Sequence, residues 1–439
     1  MEEKNSEKKE RKMRDSGIPW IGEVPEGWKI PKLKYLAVLT NGDRGKNYPS
    51  GNDLVDEGVY FFTSNNLHSQ ILDCSREKSK FITEARYNIL GGAKIRLNDI
   101  LFCLRGSVGA AAINKTVESG TIASSLVCIT PQNVDADFLN YCLQSNINVI
   151  QTNLFMNGSC AANLSAENVG NYYIIEPPIS EQHRIADFLD SKCSEIDTLI
   201  ENLRARVESA KEYKKAVITE AVTKGLNKDA KMKDSGVEWI GEIPEGWKVV
   251  RFKHIASIKS NLVQPDKYMK YPQIAPDNIE KDTGRLLSHQ TVEESGVISG
   301  NHLFYRGQIL YSKIRPNLNK LTIAPFDGLC SADMYPIEPK LPTLFMVYSM
   351  LSAYFVSQVS LIIQDRVKMP KINQEELGEI KVVVPSQQEM LTIADYLDSK
   401  CSEIDILLQN YENQITTLEE YKKSLIYEYV TGKKEVPAA

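Results

Sequence analysis

Arginine, lysine, asparagine and serine side chains cluster in loops that leave predicted β-strands. Arg105 and Ser107 follow the apolar run at 100–102, and the similar run at 309–311 leads into a loop with the same residue types. Such side chains bind phosphates and read base edges, although each is also common in ordinary turns. The pattern predicts a nucleic-acid contact with these candidates: Ser64, Asn65, Asn66, Arg105, Ser107, Asn157, Ser159, Lys313, Arg315, Asn317, Asn319, Lys320, Arg366 and Lys368.

The usual catalytic motifs are missing from the sequence. Residues 42–46 read GDRGK, which falls short of a phosphate-binding P-loop, and no GxGxxG follows a strand. The run 176–179, Glu-Pro-Pro-Ile, lacks the polar first residue and the aromatic ring of an adenine methyltransferase motif. Asp277 and Glu338 are too far apart in sequence to suggest a metal nuclease. We therefore expect no catalysis, no metal and no cofactor in this chain.

Charge is distributed unevenly along the 439 residues. The net charge is -5, which taken alone argues against a nucleic-acid partner. Residues 29–176 and 248–384 sum to 0 and +4, whereas residues 181–224 and 389–430 sum to -1 and -6. The first two segments are therefore better able to approach phosphate, although ordinary surface scatter explains these counts about as well.

The chain contains an internal repeat. Residues 12–29 and 231–248 are identical at 14 of 18 positions, and residues 185–200 and 393–408 at 13 of 16. The sequences between these blocks differ. The order is thus a preamble, a variable insert and a helical block, each occurring twice. We call the preambles and the helical blocks together the frames. Near-identical frames around unlike inserts indicate that the frames perform one task twice while the inserts perform two different tasks.

Both helical blocks carry an apolar stripe with a mean step of 3.6 residues, which predicts long helices with stripes of roughly 55 Å. Tyr213 and Tyr421 belong to these stripes. The repeat favours antiparallel pairing of the two helices, and separate burial in each domain is the alternative. The residues expected to pair are Ile196, Leu203, Val207, Ile404, Tyr411 and Ile415.

The inserts mix β-rich runs with helix-like segments, so the predicted fold class is α+β. We expect two similar domains separated by a pair of long antiparallel helices. The predicted boundaries are a disordered tail at 1–14, a first domain with its preamble at 15–176, a first helix at 177–225, a linker, preamble and second domain at 226–384, a second helix at 385–430 and a tail at 431–439. The four tryptophans lie in the preambles and are expected to be packing anchors.

The arrangement resembles a known family. A PEGW preamble, an insert ending in Pro-Pro-x-x-Glu-Gln-x-x-Ile at 177–185, and an IADFLD helix resemble the DNA specificity subunit (S subunit) of type I restriction-modification systems. DILFCLRGSVG and QILYSKIRP look like strands of that family's target recognition domains. The resemblance implies a non-catalytic, sequence-specific DNA reader in which each insert recognises one half of a bipartite target and the helices act as the spacer.

The resemblance also implies partners. These are double-stranded DNA, two methyltransferase (M) subunits that use S-adenosylmethionine to modify a flipped adenine, and restriction (R) subunits that depend on ATP and magnesium. The cofactors would be bound by those subunits. The absence of an apolar run long enough to span a membrane, and of a secretory signal at the start, predicts a cytoplasmic protein.

Two other function classes remain. A scaffold that does not bind DNA, with two interaction modules on a helical strut, would explain the repeat but not the Arg- and Asn-rich strand exits. A self-sufficient nuclease or methyltransferase would need the motifs that are missing. The sequence gives neither the target bases nor the spacer length.

Overall fold

The computed structural model describes residues 11–156, 163–366 and 368–437. The chain forms two compact units, the first from residues 1–202 and 414–439 and the second from residues 203–413. Each unit therefore contains one insert, its preamble, the beginning of its own long helix and the end of the other long helix.

The first preamble is an ordered hairpin. Strand β1 (Met13–Asp15) pairs antiparallel with β2 (Glu23–Pro25), and Arg11 donates a hydrogen bond of 2.6 Å to Glu181. The prediction of a disordered tail is therefore wrong for residues 11–14, because strand pairing and this ion pair hold them. Residues 1–10 lie outside the described residues.

The first insert forms two sheets. The antiparallel four-stranded sheet has the order β3-β11-β8-β9, and the five-stranded sheet has the order β4-β6-β5-β10-β7, with β5 and β10 parallel. In chain order the strands are β3 (Ala37–Asn41), β4 (Leu54–Val55), β5 (Val59–Phe62), β6 (Lys80–Ile82), β7 (Lys94–Ile95), β8 (Ile100–Cys103), β9 (Ala111–Ile113), β10 (Gly120–Ile122) and β11 (Leu126–Pro131).

The second unit contains the hairpin β12 (Met232–Asp234) with β13 (Glu242–Pro244), the pair β14 (Lys248–Arg251) with β24 (Lys381–Val384), and two further sheets. Their orders are β15-β23-β20-β21 and β16-β19-β22-β17-β18. The strands are β15 (Ala256–Ile258), β16 (Leu262–Val263), β17 (Pro272–Ile274), β18 (Gln290–Thr291), β19 (Asn301–Phe304), β20 (Ile309–Ser312), β21 (Leu321–Ile323), β22 (Gly328–Cys330) and β23 (Met334–Pro339).

The two inserts share a topology although their sequences differ. Their four-stranded sheets have the same strand order, and each five-stranded sheet has a parallel pair at its centre, β5 with β10 and β17 with β22. The first strand of each five-stranded sheet, β4 or β16, lies at a sheet edge in both units but has a different neighbour. β4 pairs with β6 in the first unit, whereas β16 pairs with β19 in the second. The α+β prediction with an internal repeat is confirmed.

Short helices complete both inserts. They are α1 (Glu84–Ile89), α2 (Ala136–Gln144), α3 (Asn146–Phe155), α4 (Ala166–Gly170), α6 (Phe252–Ile255), α7 (Val292–Ser295), α8 (Thr343–Leu351), α9 (Ala353–Ile363) and α10 (Gln374–Glu379). The helices α8 and α9 are separated at Ser352, which adopts an extended backbone between them.

The two long helices are α5 (Ile179–Lys224) and α11 (Gln387–Val430). In the first unit the ring centroids of Phe188 and Tyr429 are 4.5 Å apart, and Lys422 lies 2.7 Å from Asp197. The residue number rises from Phe188 to Asp197 on α5, while that of the partner on α11 falls from Tyr429 to Lys422. The two helices therefore pack antiparallel. The second unit contains the equivalent ion pair, Lys214 with Asp405 at 2.6 Å.

The predicted pairing residues are buried to different degrees. Tyr411 and Ile415 are partly covered, and the other four are buried: Ile196, Leu203, Val207 and Ile404. Tyr213 and Tyr421, assigned to the same stripes, are 54% and 53% exposed. Their assignment is wrong because the covered face at those turns passes through the neighbouring residues Lys214 and Lys422, whose side chains are 12% and 21% exposed and pair with the other long helix.

Among the residues that the structure describes, no single helix has the length and apolarity to cross a membrane, and the bent pair α8 and α9 passes only by length and composition.

Candidate nucleic-acid interface

In the second unit, two loops meet beyond the end of β20. The loop at 313–320 is joined to the segment 368–372 by hydrogen bonds from the Arg315 amide to the Pro370 carbonyl, 2.8 Å, and from the Ile372 amide to the Lys313 carbonyl, 3.0 Å. Backbone bonds of this kind fix the relative positions of the loops. Residues 313–320, Arg366 and residues 368–371 therefore belong to one structural feature, which we call the second reading edge.

Two side chains of the second reading edge are exposed on the loop at 313–320. Arg315 and Asn317 flank Pro316, which begins a 3₁₀ turn. Lys313 is half-buried, with its ammonium 5.4 Å from the centroid of the Tyr335 ring. Lys368 is exposed on the other loop. Guanidinium, amide and ammonium groups are thus presented together, a set that can contact bases and phosphates.

Three other candidates have structural partners. Asn319 is buried and donates a hydrogen bond of 3.1 Å to the Met350 carbonyl. Lys320 donates to the Pro276 carbonyl at 2.8 Å, and Arg366 forms an ion pair of 2.5 Å with Glu376. A buried amide must keep its hydrogen bonds, so the prediction that Asn319 contacts DNA is wrong. Lys320 and Arg366 hold the loops in place.

The first unit has a matching strand exit beyond β8. The Leu164 amide donates to the Leu104 carbonyl at 3.1 Å, and Arg105 donates through Nε to Oδ1 of Asn163 at 3.1 Å. Arg105 and Ser107 are exposed. We call residues 104–107 with 163–164 the first reading edge. Asn157 and Ser159 lie outside the described residues.

The remaining candidates form one 3₁₀ turn, residues 64–66, after β5. Asn65 is exposed and Ser64 is half-buried. Asn66 is buried, accepts a hydrogen bond from the Thr63 amide at 2.9 Å and donates one to the Asp73 carbonyl at 2.9 Å. Asn66 therefore caps the turn, and its predicted DNA contact is wrong.

Backbone hydrogen bonds give the register between the two edges. The Leu164 amide donates to the Leu104 carbonyl, and the Ile372 amide donates to the Lys313 carbonyl in the same way. Leu104 therefore corresponds to Lys313, and the next two residues, Arg105 and Gly106, correspond to Ile314 and Arg315. Gly106 has a φ of 85° and Arg315 a φ of 42°. An arginine thus occupies a left-handed position that glycine fills in the first unit, and the left-handed region is unfavourable for a residue with a Cβ.

The frames attach each insert to its long helix through a tryptophan. Trp28 donates through Nε1 to Glu181 and Trp247 to Glu389, both at 3.1 Å. Hydrogen bonds from Ser386 and Trp247 hold the pKa of Glu389 below its ordinary value. Trp28 and Trp247 are buried packing anchors as predicted, whereas Trp239 is 44% exposed.

No group of three or more histidine, cysteine or acidic side chains that could hold a metal ion occurs within the described ranges.

Comparison with known proteins identifies the class. Residues 25–209 match the family model of the type I restriction modification DNA specificity domain. The chain is 30% identical to the type I restriction enzyme EcoDI specificity subunit of Escherichia coli over 94% of this chain and 90% of that one. It therefore belongs to the type I restriction enzyme specificity subunits, which are non-catalytic.

Two further likenesses extend over the same length. A type I restriction enzyme specificity subunit of Methanocaldococcus jannaschii, MjaVIII, is 25% identical over 94% of each chain. A solved chain from a study of the assembly and conformational transition of a type I restriction-modification system has a TM-score of 0.70 at 14% identity, covering 94% of this chain and 99% of that chain. The second likeness supports the two-domain α+β fold.

Proposed function

We propose that this specificity subunit reads a bipartite DNA target, with each insert reading one half. The observation that carries the proposal is that two inserts of the same topology present different side chains at equivalent strand exits. Arg105 and Gly106 occupy the positions in the first reading edge that Ile314 and Arg315 occupy in the second. Side chains that differ on an unchanged backbone select different bases, so each half of the target is set separately.

Each insert is closed at its base, which supports its exchange as a module. In the first unit Lys29 and Glu176 exchange two backbone hydrogen bonds, 3.0 and 2.8 Å. In the second unit β14 pairs with β24 at the same point. Because the two ends of an insert are adjacent, a different insert can be joined there without moving the frame.

Exchanging residues 30–176 for the same segment of a relative tests this proposal. Methylated adenines are mapped in DNA exposed to the reconstituted complex of full-length chain and partner subunits. One half of the target should change, while the other half and the intervening length stay the same. An unchanged methylation pattern would reject modular reading, and failure of the complex to retain duplex DNA would favour the scaffold.

The frames support a second part of the proposal, the positioning of two copies of one methyltransferase subunit. Between the two long helices, residues 185–200 and 393–408 are identical at 13 of 16 positions, whereas residues 201–211 and 409–419 are identical at 1 of 11. The divergent segment includes buried positions such as Leu203 and Val207. Packing is therefore not the requirement that keeps the outer blocks alike.

The duplicated positions include exposed ones. Glu195, Leu199 and Tyr421 are exposed in the first unit, and the same residue types are exposed at Glu403, Leu407 and Tyr213 in the second. We call these sets the first and second docking surfaces. An exposed tyrosine side chain is a typical anchor of a protein interface.

The docking surfaces also match in local electrostatics. Glu195 raises the pKa of Lys192, with a smaller contribution from Tyr421. Glu403 raises the pKa of Lys400, with a smaller contribution from Tyr213. An identical set of groups in two places fits two copies of one partner better than two unlike partners.

Single substitutions distinguish the docking surfaces. Native mass spectrometry of the complex should show two methyltransferase subunits on the unchanged chain, one on Tyr421→Ala or Tyr213→Ala, and none on the double variant. Tyr35→Ala, which removes a 68% exposed tyrosine elsewhere in the first unit, is the control and should keep both. A stable one-to-one complex of the unchanged chain at saturating partner would contradict this stoichiometry.

A further inference from the structure

Met369 combines an unfavourable backbone with an exposed apolar side chain. Among the described residues, five that are not glycine have positive φ, and three of these are asparagine or aspartate, which tolerate the left-handed region. The other two are Arg315 at 42° and Met369 at 46°. Both belong to the second reading edge. Met369 is also 55% exposed, so burial does not offset the strain.

The loop that carries Met369 is held on both sides of its tip. Arg366 contacts the Lys371 carbonyl and forms an ion pair with Glu376 at 2.5 Å. On the other side the Pro370 carbonyl accepts the Arg315 amide at 2.8 Å, and Lys371 pairs with Asp333 at 3.2 Å. The surrounding contacts therefore determine the backbone at Met369, which is how strained residues persist at ligand-binding sites.

The neighbours of Met369 define what its side chain can meet. Lys368, Arg315 and Asn317 are exposed on the same pair of loops and suit phosphates and purine edges. A thioether suits neither. On the major-groove edges of the four bases, the C5-methyl group of thymine is the apolar feature that a side chain can read.

We propose that Met369 is a specificity-determining residue that contacts the C5-methyl group of a thymine next to the base contacted by Arg315. This inference rests on the proposed function, since it assigns one base contact within the second half-site. Met369 is not among the candidates predicted from the sequence, which were chosen as arginine, lysine, asparagine and serine residues.

The test maps methylated adenines with the reconstituted complex of full-length chains on a DNA library. Met369→Ala should lower the preference for thymine about fourfold at one position of the second half-site, the factor expected for one buried methyl group. That position should adjoin the one broadened by Arg315→Ala. Replacing this thymine with deoxyuridine should lower methylation by the unchanged protein by the same factor and leave Met369→Ala unaffected.

Two further variants separate reading from folding. Met369→Asn places a residue that tolerates positive φ at the tip, so it should lose the thymine preference without a fall in melting temperature. Met269→Ala removes a 40% exposed methionine elsewhere in the same insert and should change nothing.

The inference is overturned if no position broadens in Met369→Ala, if deoxyuridine affects that variant as it affects the unchanged protein, or if the variant loses methyltransferase subunits with its target intact. If the insert exchange and Arg315→Ala alter the target while Met369 variants do not, only this inference fails. If the insert exchange leaves the target unchanged, the proposed function itself fails.

Discussion

Arg315→Gly should raise the stability of the protein while reducing its selectivity. Arg315 has a φ of 42° and a ψ of 52°, and left-handed backbone costs a residue with a Cβ roughly 1–2 kcal/mol. Glycine removes that cost but adds about 0.5–1 kcal/mol through its greater freedom in the unfolded chain. The net gain is therefore about 0.75 kcal/mol, within a range of about 0–1.5 kcal/mol, and the central value corresponds to a rise of roughly 2–3 °C in the melting temperature of a unit of this size.

The selectivity should change in the opposite direction. A guanidinium that contacts a base through two hydrogen bonds contributes about 1–3 kcal/mol of discrimination, and glycine cannot supply it. One position of the second half-site should broaden by roughly five- to 150-fold, the range that this energy corresponds to. A uniform loss across sequences with a shallower salt dependence would instead identify a phosphate contact.

Arg315→Ala is the matched variant, because it loses the same guanidinium but keeps the Cβ. It should show the same change of target with no gain in melting temperature. Gly106→Ala tests the reverse in the first unit. A Cβ at Gly106 meets nothing within 4 Å, so its expected cost of about 0.5–1 kcal/mol arises from the backbone alone. Scanning calorimetry of the full chains measures all three, and equal melting temperatures for Arg315→Gly and Arg315→Ala would refute the strain argument.

Three other predictions concern the frame. Glu389→Gln weakens the bond to Trp247 and should lower the melting temperature at neutral pH. The pKa of Glu389 in the folded chain lies below its ordinary value. Its contribution to the free energy of unfolding is therefore fully present above about pH 4.3 and is lost as the pH falls through the folded pKa. The difference in melting temperature between the variant and the unchanged chain should accordingly shrink in acid. A double-mutant cycle on Lys422 and Asp197 should give a coupling of at most about 1 kcal/mol that declines with salt; a larger, salt-independent value would contradict it. Ending the chain after Lys400 removes the α11 residues that pack in the first unit, so gel filtration should show aggregates or dimers; a well-folded monomer would contradict this.

The repeat made much of the architecture predictable. Near-identical frames gave the two domains, the two long helices and their antiparallel packing, and the predicted boundaries 177–225 and 385–430 lie close to α5 and α11. Regular apolar spacing is a reliable signal over such lengths. The same spacing assigned Tyr213 and Tyr421 to the stripes, because it favours apolar residues and passes over Lys214 and Lys422, the lysines that occupy the covered face at those turns.

The sequence indicated which segments form the candidate site, but not which residues within those segments are exposed. Residue type located the strand exits, but asparagine serves turns as readily as it serves DNA. Asn66 and Asn319 are buried, with hydrogen bonds to the backbone of other segments. The position of those carbonyls depends on the folded chain, so no local pattern separates these two residues from Asn65 and Asn317, which are exposed.

Backbone strain is the signal that the sequence could not contain. The matched runs at 100–102 and 309–311 already place Arg105 opposite Ile314, and the backbone hydrogen bonds give the same register. Only the structure shows that the backbone has positive φ at both Gly106 and Arg315. Folding alone would favour glycine or asparagine at both Arg315 and Met369, because either residue relieves the left-handed backbone. An arginine and a methionine at these two positions, both exposed and on loops joined to each other, therefore favour a role in contact with a ligand over a role in stability.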